Sequence, residues 1–231
     1  NEGTAKIHPL DWDSTMDSAT KNSTWSSGWD SFGSWEQGGS TYLFHYKSST
    51  GLAKALELTS DGETSCCSEE ETWASGWKTL VYETSGGNDY LMRYSSSSSQ
   101  LRIMTLGAGS FDSEITNTYW TDDDYLAFSA LHTSGQAFIL RLGASGGVET
   151  LPIASNGTLG APADSYSVGT GWTSMLTAEL DNIPILYLYD STTGDYELYE
   201  LDSGGQFIGL YEEGTQEQGW SGMLLYQTSV Q

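Results

Sequence analysis

The chain has 231 residues, 37% of them hydrophobic, and a formal charge of −23 from 31 acidic and only 8 basic side chains. That length suits a single domain covering residues 1–231, and so acidic a surface excludes nucleic acid as a partner, because no patch is able to release phosphate counterions. No apolar run approaches the roughly 18 residues that cross a membrane, and no signal peptide opens the chain, so a leader has been removed or the protein is not exported.

From the N-terminus, residues 3–10 (GTAKIHPL) resemble residues 51–58 (GLAKALEL), so the chain enters in the middle of a repeat. Asn22-Ser23-Thr24 and, later, Asn156-Gly157-Thr158 are glycosylation acceptors expected in loops, which suits a secreted, extracellular glycoprotein. Trp25 precedes Gly28-Trp29, and residues 42–46 (YLFHY) form a short apolar and aromatic run bounded by Ser, Thr and Gly. Such a run predicts a strand buried on both faces. After Gly51, residues 53–58 alternate apolar and polar side chains, as a half-exposed strand near a sheet edge does. Cys66-Cys67 is the only cysteine content. Two adjacent thiols are too few for zinc; in an oxidising compartment they favour a vicinal disulfide, with free thiols or pairing to other chains as the alternatives.

The same sequence of features then recurs. Trp73 precedes Gly76-Trp77, residues 90–94 (YLMRY) repeat the buried run, and the serine run 95–99 is turn filler that puts Ser99 where Gly51 stood. Trp120 precedes Tyr125, followed by residues 138–142 (FILRL) and Gly147. Gly171-Trp172 leads to residues 185–189 (ILYLY), Gly194 and the alternating run 196–201. Gly219-Trp220 opens a unit that does not finish. The anchors Trp29, Trp77, Tyr125, Trp172 and Trp220 are spaced 48, 48, 47 and 48 residues apart. A period of that length matches one four-stranded propeller blade, and helical spacing is sustained nowhere. The expected fold is an all-β, five-bladed β-propeller whose last blade takes strands from both ends of the chain, which removes free sheet edges. From Trp220 round to Trp29 there are 40 residues rather than 48. The shortfall falls on the segment equivalent to residues 42–49 and leaves open a shorter connection, missing terminal residues, or a strand accepted from a neighbour.

Little in the sequence points to catalysis. His8, His45 and His132 are scattered without metal-ligand spacing, and no nucleophile elbow, zinc motif or phosphate loop is present. The acidic runs 69–71, 122–124 and 212–213 are expected in loops before each anchor and read as a solvated rim rather than Ca²⁺ ligands, since no EF-hand spacing occurs. No cofactor, metal or catalytic residue is expected. A glycosidase carboxylate pair is not excluded by counting, but the same residue types are distributed over five units, as in a multivalent binder. The faithful aromatics Trp29, Trp77, Tyr125, Trp172 and Trp220 are expected to pack between blades. Trp25, Trp73 and Trp120 sit four or five residues earlier and are the expected sugar-stacking residues.

The pattern Gly28-Trp29-Asp30-Ser31-Phe32, the Gly-Gly turn, Tyr42-Leu43-x-x-Tyr46 and Thr50-Gly51 resembles the five-bladed tachylectin-type propellers. The resemblance implies a secreted lectin with one sugar site per blade or between neighbouring blades, typically for N-acetylated hexosamines. The chain departs from that family before each anchor, where residues 71–75 (ETWAS) are the nearest match to an expected Asn-Trp-Leu-Ala-Arg-like segment. The expected function is therefore a non-catalytic, multivalent lectin binding glycans or glycoproteins. The alternatives are an adhesive subunit that self-assembles through its fifth blade and, behind it, a glycoside hydrolase.

Overall fold

A computed structural model of the chain describes residues 2–7, 21–26, 28–59, 64, 68–121, 124–133, 135–180 and 183–219; for 2–7, 21–26 and 180 only the backbone is described. Strands β1 (Glu2–Ile7) and β2 (Lys21–Ser26) form a two-stranded sheet. Four antiparallel four-stranded sheets follow in chain order. Blade 1 holds β3 (Ser31–Gln37), β4 (Ser40–Lys47), β5 (Leu52–Leu58) and β6 (Glu69–Thr72). Blade 2 holds β7 (Lys78–Glu83), β8 (Asp89–Ser95), β9 (Gln100–Leu106) and β10 (Phe111–Tyr119). Blade 3 holds β11 (Tyr125–Thr133), β12 (Gln136–Gly143), β13 (Gly147–Pro152) and β14 (Asp164–Ser167). Blade 4 holds β15 (Ser174–Leu180), β16 (Ile183–Tyr189), β17 (Asp195–Leu201) and β18 (Phe207–Thr215).

The fold is thus an all-β propeller, and the four runs read as buried strands are the second strands β4, β8, β12 and β16. The blade count is corrected: among the described residues four blades are complete, and only the β1–β2 pair stands outside them. Residues 220–231, which were to complete a fifth, lie outside the described residues, so the eight-residue shortfall between Trp220 and Trp29 falls largely there too.

The core sits at the blade junctions rather than inside any sheet. Phe44 and Tyr46 of blade 1 pack with Trp77, Leu91 and Phe111 of blade 2. Met92, Tyr94 and Ile103 turn the other way, against Tyr125 and Ile139 of blade 3, and Leu140 and Leu142 meet Leu186 and Leu188 of blade 4. Strand alternation explains this: neighbouring residues on the second strand serve opposite junctions, so the run must be apolar throughout. Each such side chain contributes about 1.5–3 kcal/mol by burial.

Polar hooks reinforce each junction. The end of a first strand donates into the loop between the third and fourth strands of the next blade: Trp35 Nε1 to Gly107 O at 2.8 Å, Tyr82 OH to Gly157 O at 2.5 Å, and Thr133 Oγ1 to Ser203 O at 2.8 Å. The first strands stand side by side, β3 against β7, β7 against β11 and β11 against β15.

One turn fixes the outer corner of every blade. Gly51, Ser99, Gly146 and Gly194 all have positive φ, 54° at Ser99 and 75–84° at the glycines, and Ser99 is the only other residue type so placed among the described residues. Their carbonyls accept from the backbone N–H of Trp73, Trp120, Val168 and Gln216 at 2.8–2.9 Å. The turn in blade 3 is one residue shorter, so Gly146 and not Gly147 takes the left-handed conformation.

Candidate functional site

The register aligns one row of side chains across all four blades. On the second strand it is His45, Arg93, Arg141 and Leu188. Directly opposite on the third strand stand Lys54, Arg102, Glu149 and Glu197, and on the fourth Glu70, Asn117, Ser165 and Glu213. In blades 1 to 3 the anchor aromatic lies against the second-strand member of this row.

The chemistry of the row changes from blade to blade. In blade 1, His45 meets the edges of Trp29 and Phe32 at 5.5 and 5.1 Å, and Lys54 pairs with Glu70 at 2.7 Å. In blade 2, the Arg93 guanidinium lies 4.4 Å from the Trp73 ring and 5.3 Å from Trp77. In blade 3, Arg141 stacks on Trp120 and Tyr125 at 4.3 and 4.2 Å and forks onto Glu149 Oε2, with Nε and Nη2 both at 2.7 Å. In blade 4, leucine replaces arginine, so two glutamates face each other across β17 and β18 without a cation between them. From Leu142 to Gln231 the sequence contains no Lys, Arg or His at all.

A cleft lies beside this glutamate pair. Its volume is about 520 Å³, and its lining includes Trp172, Tyr196, Asp190, Asp195, Glu197 and Glu213. A cleft of about 490 Å³ occupies the matching place in blade 3, beside Tyr125, Glu149, Ser165 and Tyr166. Trp172 is held by its Nε1–H on Val168 O at 2.9 Å, and Tyr199 OH donates to Glu197 Oε2 at 2.6 Å. Burial, then the Glu197 hydrogen bond, push the Tyr199 phenol up, so it remains a donor. Asp190 is a turn residue: the Thr192 N–H first, and the Thr193 hydroxyl after it, hold its carboxyl below the usual range.

A second tuned carboxyl lies at the other end of the first strands. Asp89 opens β8 directly opposite Glu83 and accepts the backbone N–H of Glu36. Burial, with Glu83 and Glu36 adding repulsion, pushes it up to about 6. His45, 3% exposed, is pushed down to about 4 by burial and then by Lys54.

The expected site residues are distributed as follows. Trp77 and Tyr125 are buried at 7% and 2% exposure, as packing residues are; Trp29 and Trp172 are half-buried, and Trp220 lies outside the described residues. Trp73 is half-buried, stacked on Tyr46 and Phe44 with its edge to Phe111, and Trp120 packs among Tyr94, Tyr125 and Phe128. Both carry an arginine on the ring, so these indoles belong to the junctions. Trp25 pairs with Gly3 in β2, its side chain outside the described residues. Asn22 lies in strand β2 and not in a loop, whereas Asn156 is exposed in a turn, its Oδ1 accepting from Thr158. Cys66 and Cys67 lie outside the described residues.

The acidic runs 69–71 and 212–213 lie in strands β6 and β18 and not in rim loops, while of 122–124 only Asp124 is among the described residues, outside any strand. Glu69 accepts the Phe111 N–H of the next blade, Glu70 pairs with Lys54, and Glu71 takes the Trp73 indole N–H. Among the described residues no group of three or more His, Cys, Asp or Glu is placed to hold a metal. The Glu197–Glu213 pair was missed because each glutamate was read within its own run. The signal was present in the row itself, where His45, Arg93 and Arg141 give way to Leu188.

No protein-family model matches the sequence, and no curated protein is significantly similar to it. Solved structures do match. A Bacteroides fragilis protein assigned as a 6-phosphogluconolactonase is 14% identical with a TM-score of 0.58, over 93% of this chain and 65% of that one. The periplasmic gluconolactonase of Pseudomonas aeruginosa is 14% identical with a TM-score of 0.59, over 94% and 64%. An exo-β-1,3-galactanase of Phanerochaete chrysosporium, solved with β-1,3-galactotriose, is 9% identical with a TM-score of 0.63, over 92% and 54%. The chain therefore spans 54–65% of the length of these structures, and at such identities the likeness establishes the propeller fold. It also corrects the functional expectation. These structures are of two lactonases and a galactanase and none is of a lectin, so the tachylectin-type, non-catalytic reading is withdrawn.

Proposed function

We propose that the protein is a hydrolase of glycosidic bonds in neutral glycans, acting at the rim cleft of blade 4. The observation that carries this reading is the Glu197–Glu213 pair, set directly opposite on adjacent strands beside Trp172. Glycoside hydrolysis needs two carboxylates flanking the bond, one to donate a proton and one to attack or to activate water. An aromatic wall suits the C–H face of a pyranose, and Tyr199 orients Glu197. Repetition supplies the framework and Leu188 makes one copy of it unique, as an active site requires. The galactanase likeness supports a carbohydrate substrate; a phosphorylated or acidic lactone is disfavoured, because it meets four carboxylates in this cleft.

The test is reducing-sugar release from a panel of neutral polysaccharides that includes β-1,3-galactan, with gluconolactone alongside. Glu197→Gln and Glu213→Gln are each expected to lower turnover roughly 10²- to 10⁴-fold while circular dichroism stays unchanged. Undiminished turnover in both removes the pair from the chemistry, and no release from any neutral glycan removes the reading. A second reading puts the proton donor at Asp89, whose raised carboxyl beside Glu83 and Glu36 is tuned as a general acid is. It predicts a rate limb near pH 6 that Asp89→Asn abolishes. Export is part of the same proposal, supported by the periplasmic location of the Pseudomonas protein, and so is a fifth blade, supported by the Trp220 anchor and the β1–β2 pair.

A further inference from the structure

The row that is acidic in blade 4 is cationic in blade 2. Arg93 on β8 and Arg102 on β9 stand directly opposite each other, and Thr79 of β7 lies opposite Arg93 on the same face. Like charges directly opposite across strands repel. One carboxylate oxygen serves both, Glu114 Oε2, at 3.8 Å from Arg93 Nη2 and 3.2 Å from Arg102 Nη1. Glu71 also attracts Arg93, while one of its oxygens, Oε2, accepts the Trp73 indole N–H. The Arg93 side chain is 9% exposed, and its Nε is buried with no hydrogen-bond partner in the protein. The Nε of Arg102 and the hydroxyl of Thr79 are buried and unpartnered in the same way. Three orphan polar atoms on one row are costly, each by the desolvation of a group that water would otherwise serve.

The outer end of the row is open, since the Arg102 side chain is 33% exposed. Trp77, which packs under both guanidiniums at 5.3 and 5.9 Å, fixes their planes. Two guanidinium edges and a hydroxyl able to donate form a donor set that Glu114 serves only in part, and planar forks match oxyanions two bonds at a time. We propose that the rim of blade 2 is an oxyanion-binding site, in which Arg102, Arg93 and Thr79 hold the carboxylate or sulfate of a small ligand. It is independent of the blade-4 cleft, which has the opposite charge.

The experiment is isothermal titration of the whole protein at low ionic strength with sodium sulfate, sodium D-glucuronate and, as the screening control, sodium chloride. Intrinsic tryptophan fluorescence, with a Trp77→Phe variant to identify the Trp77 contribution, is followed in parallel. Saturable binding of sulfate or glucuronate, absent for chloride, is expected, and whichever binds tighter identifies the ligand group as tetrahedral or planar. Arg102→Gln should weaken it at least tenfold, Arg102→Lys several-fold because the charge stays but the fork is lost, and Thr79→Val a few-fold. Heat no different from chloride overturns the site, as does binding that Arg102→Gln and Thr79→Val leave intact. If Arg102→Gln does not fold, Arg102→Lys and Thr79→Val decide by the same criterion.

Discussion

At the scale of single residues, the outer turn gives the sharpest mutational contrast. A Cβ on Gly51 would lie 1.9 Å from Trp73 O, and that carbonyl belongs to the segment the turn itself anchors. Gly51→Ala is expected to destabilise by at least about 2 kcal/mol, the left-handed penalty and the clash acting together. Ser99 occupies the equivalent turn at φ 54° with a side chain already present. Ser99→Gly should therefore be neutral or stabilising by up to about 1 kcal/mol, relief of the same penalty offset by chain entropy. Urea denaturation of both variants measures the pair; equal effects would mean that the two turns are not equivalent.

Two buried titratable groups give opposite pH dependences. The fold favours protonated Asp89, whose ordinary value is 3.8 and whose folded value is about 6. Its contribution is fully present below about pH 4 and is lost as the pH rises through 6. His45 is favoured neutral, moving from 6.5 to about 4, so its contribution is present above 6.5 and is lost as the pH falls through 4. The two slopes oppose each other across the same window. Asp89→Asn is expected to make stability rise more steeply between pH 4 and 6 than it does in the parent protein. Denaturation midpoints at pH 4, 5, 6 and 7 test this, and parallel curves would refute it.

At the scale of the element, blade 3 shows what blade 4 lacks. Arg141, 3% exposed, is held by two rings and by a two-pronged bond to Glu149. Removing Arg141 alone strands a partly buried glutamate and is expected to cost about 2–4 kcal/mol, below the full buried-pair loss because Glu149 is one-quarter exposed. Arg141→Leu with Glu149→Leu should recover most of that, since apolar replacements of a buried pair are often near neutral. A double-mutant cycle by thermal unfolding reads the coupling, and additive losses would show that the pair is not the unit. The elements themselves were legible from the sequence. The second strands must be apolar on both faces because each serves two junctions, and that pattern survives in one dimension. The acidic run 69–71 was misplaced because Glu69, Glu70 and Glu71 each have a partner, Phe111, Lys54 and Trp73, and charge alone does not display partners. Trp73 and Trp120 read as sugar platforms for a related reason: spacing gave their period, but not the arginine that each carries on its ring.

At the scale of the whole molecule, charge is distributed as unevenly as the row chemistry. All eight Lys and Arg side chains lie at or before Arg141, so blades 1, 2 and 3 contain every ion pair observed among the described residues. Blade 4 combines Asp190, Asp195, Glu197, Glu212 and Glu213 with no basic side chain. Self-repulsion in such a segment opposes the compact state and is screened over about 10 Å at 0.1 M salt. Blade 4 should therefore open first when ionic strength is low. Hydrogen exchange is expected to report weaker protection in β16 than in the comparably buried second strand β8 at about 10 mM salt. The gap should narrow as sodium chloride is raised toward about 0.5 M, with the melting temperature rising over the same range. Protection that is uniform at low salt, or a gap that salt leaves unchanged, would locate the stability difference in packing instead of charge.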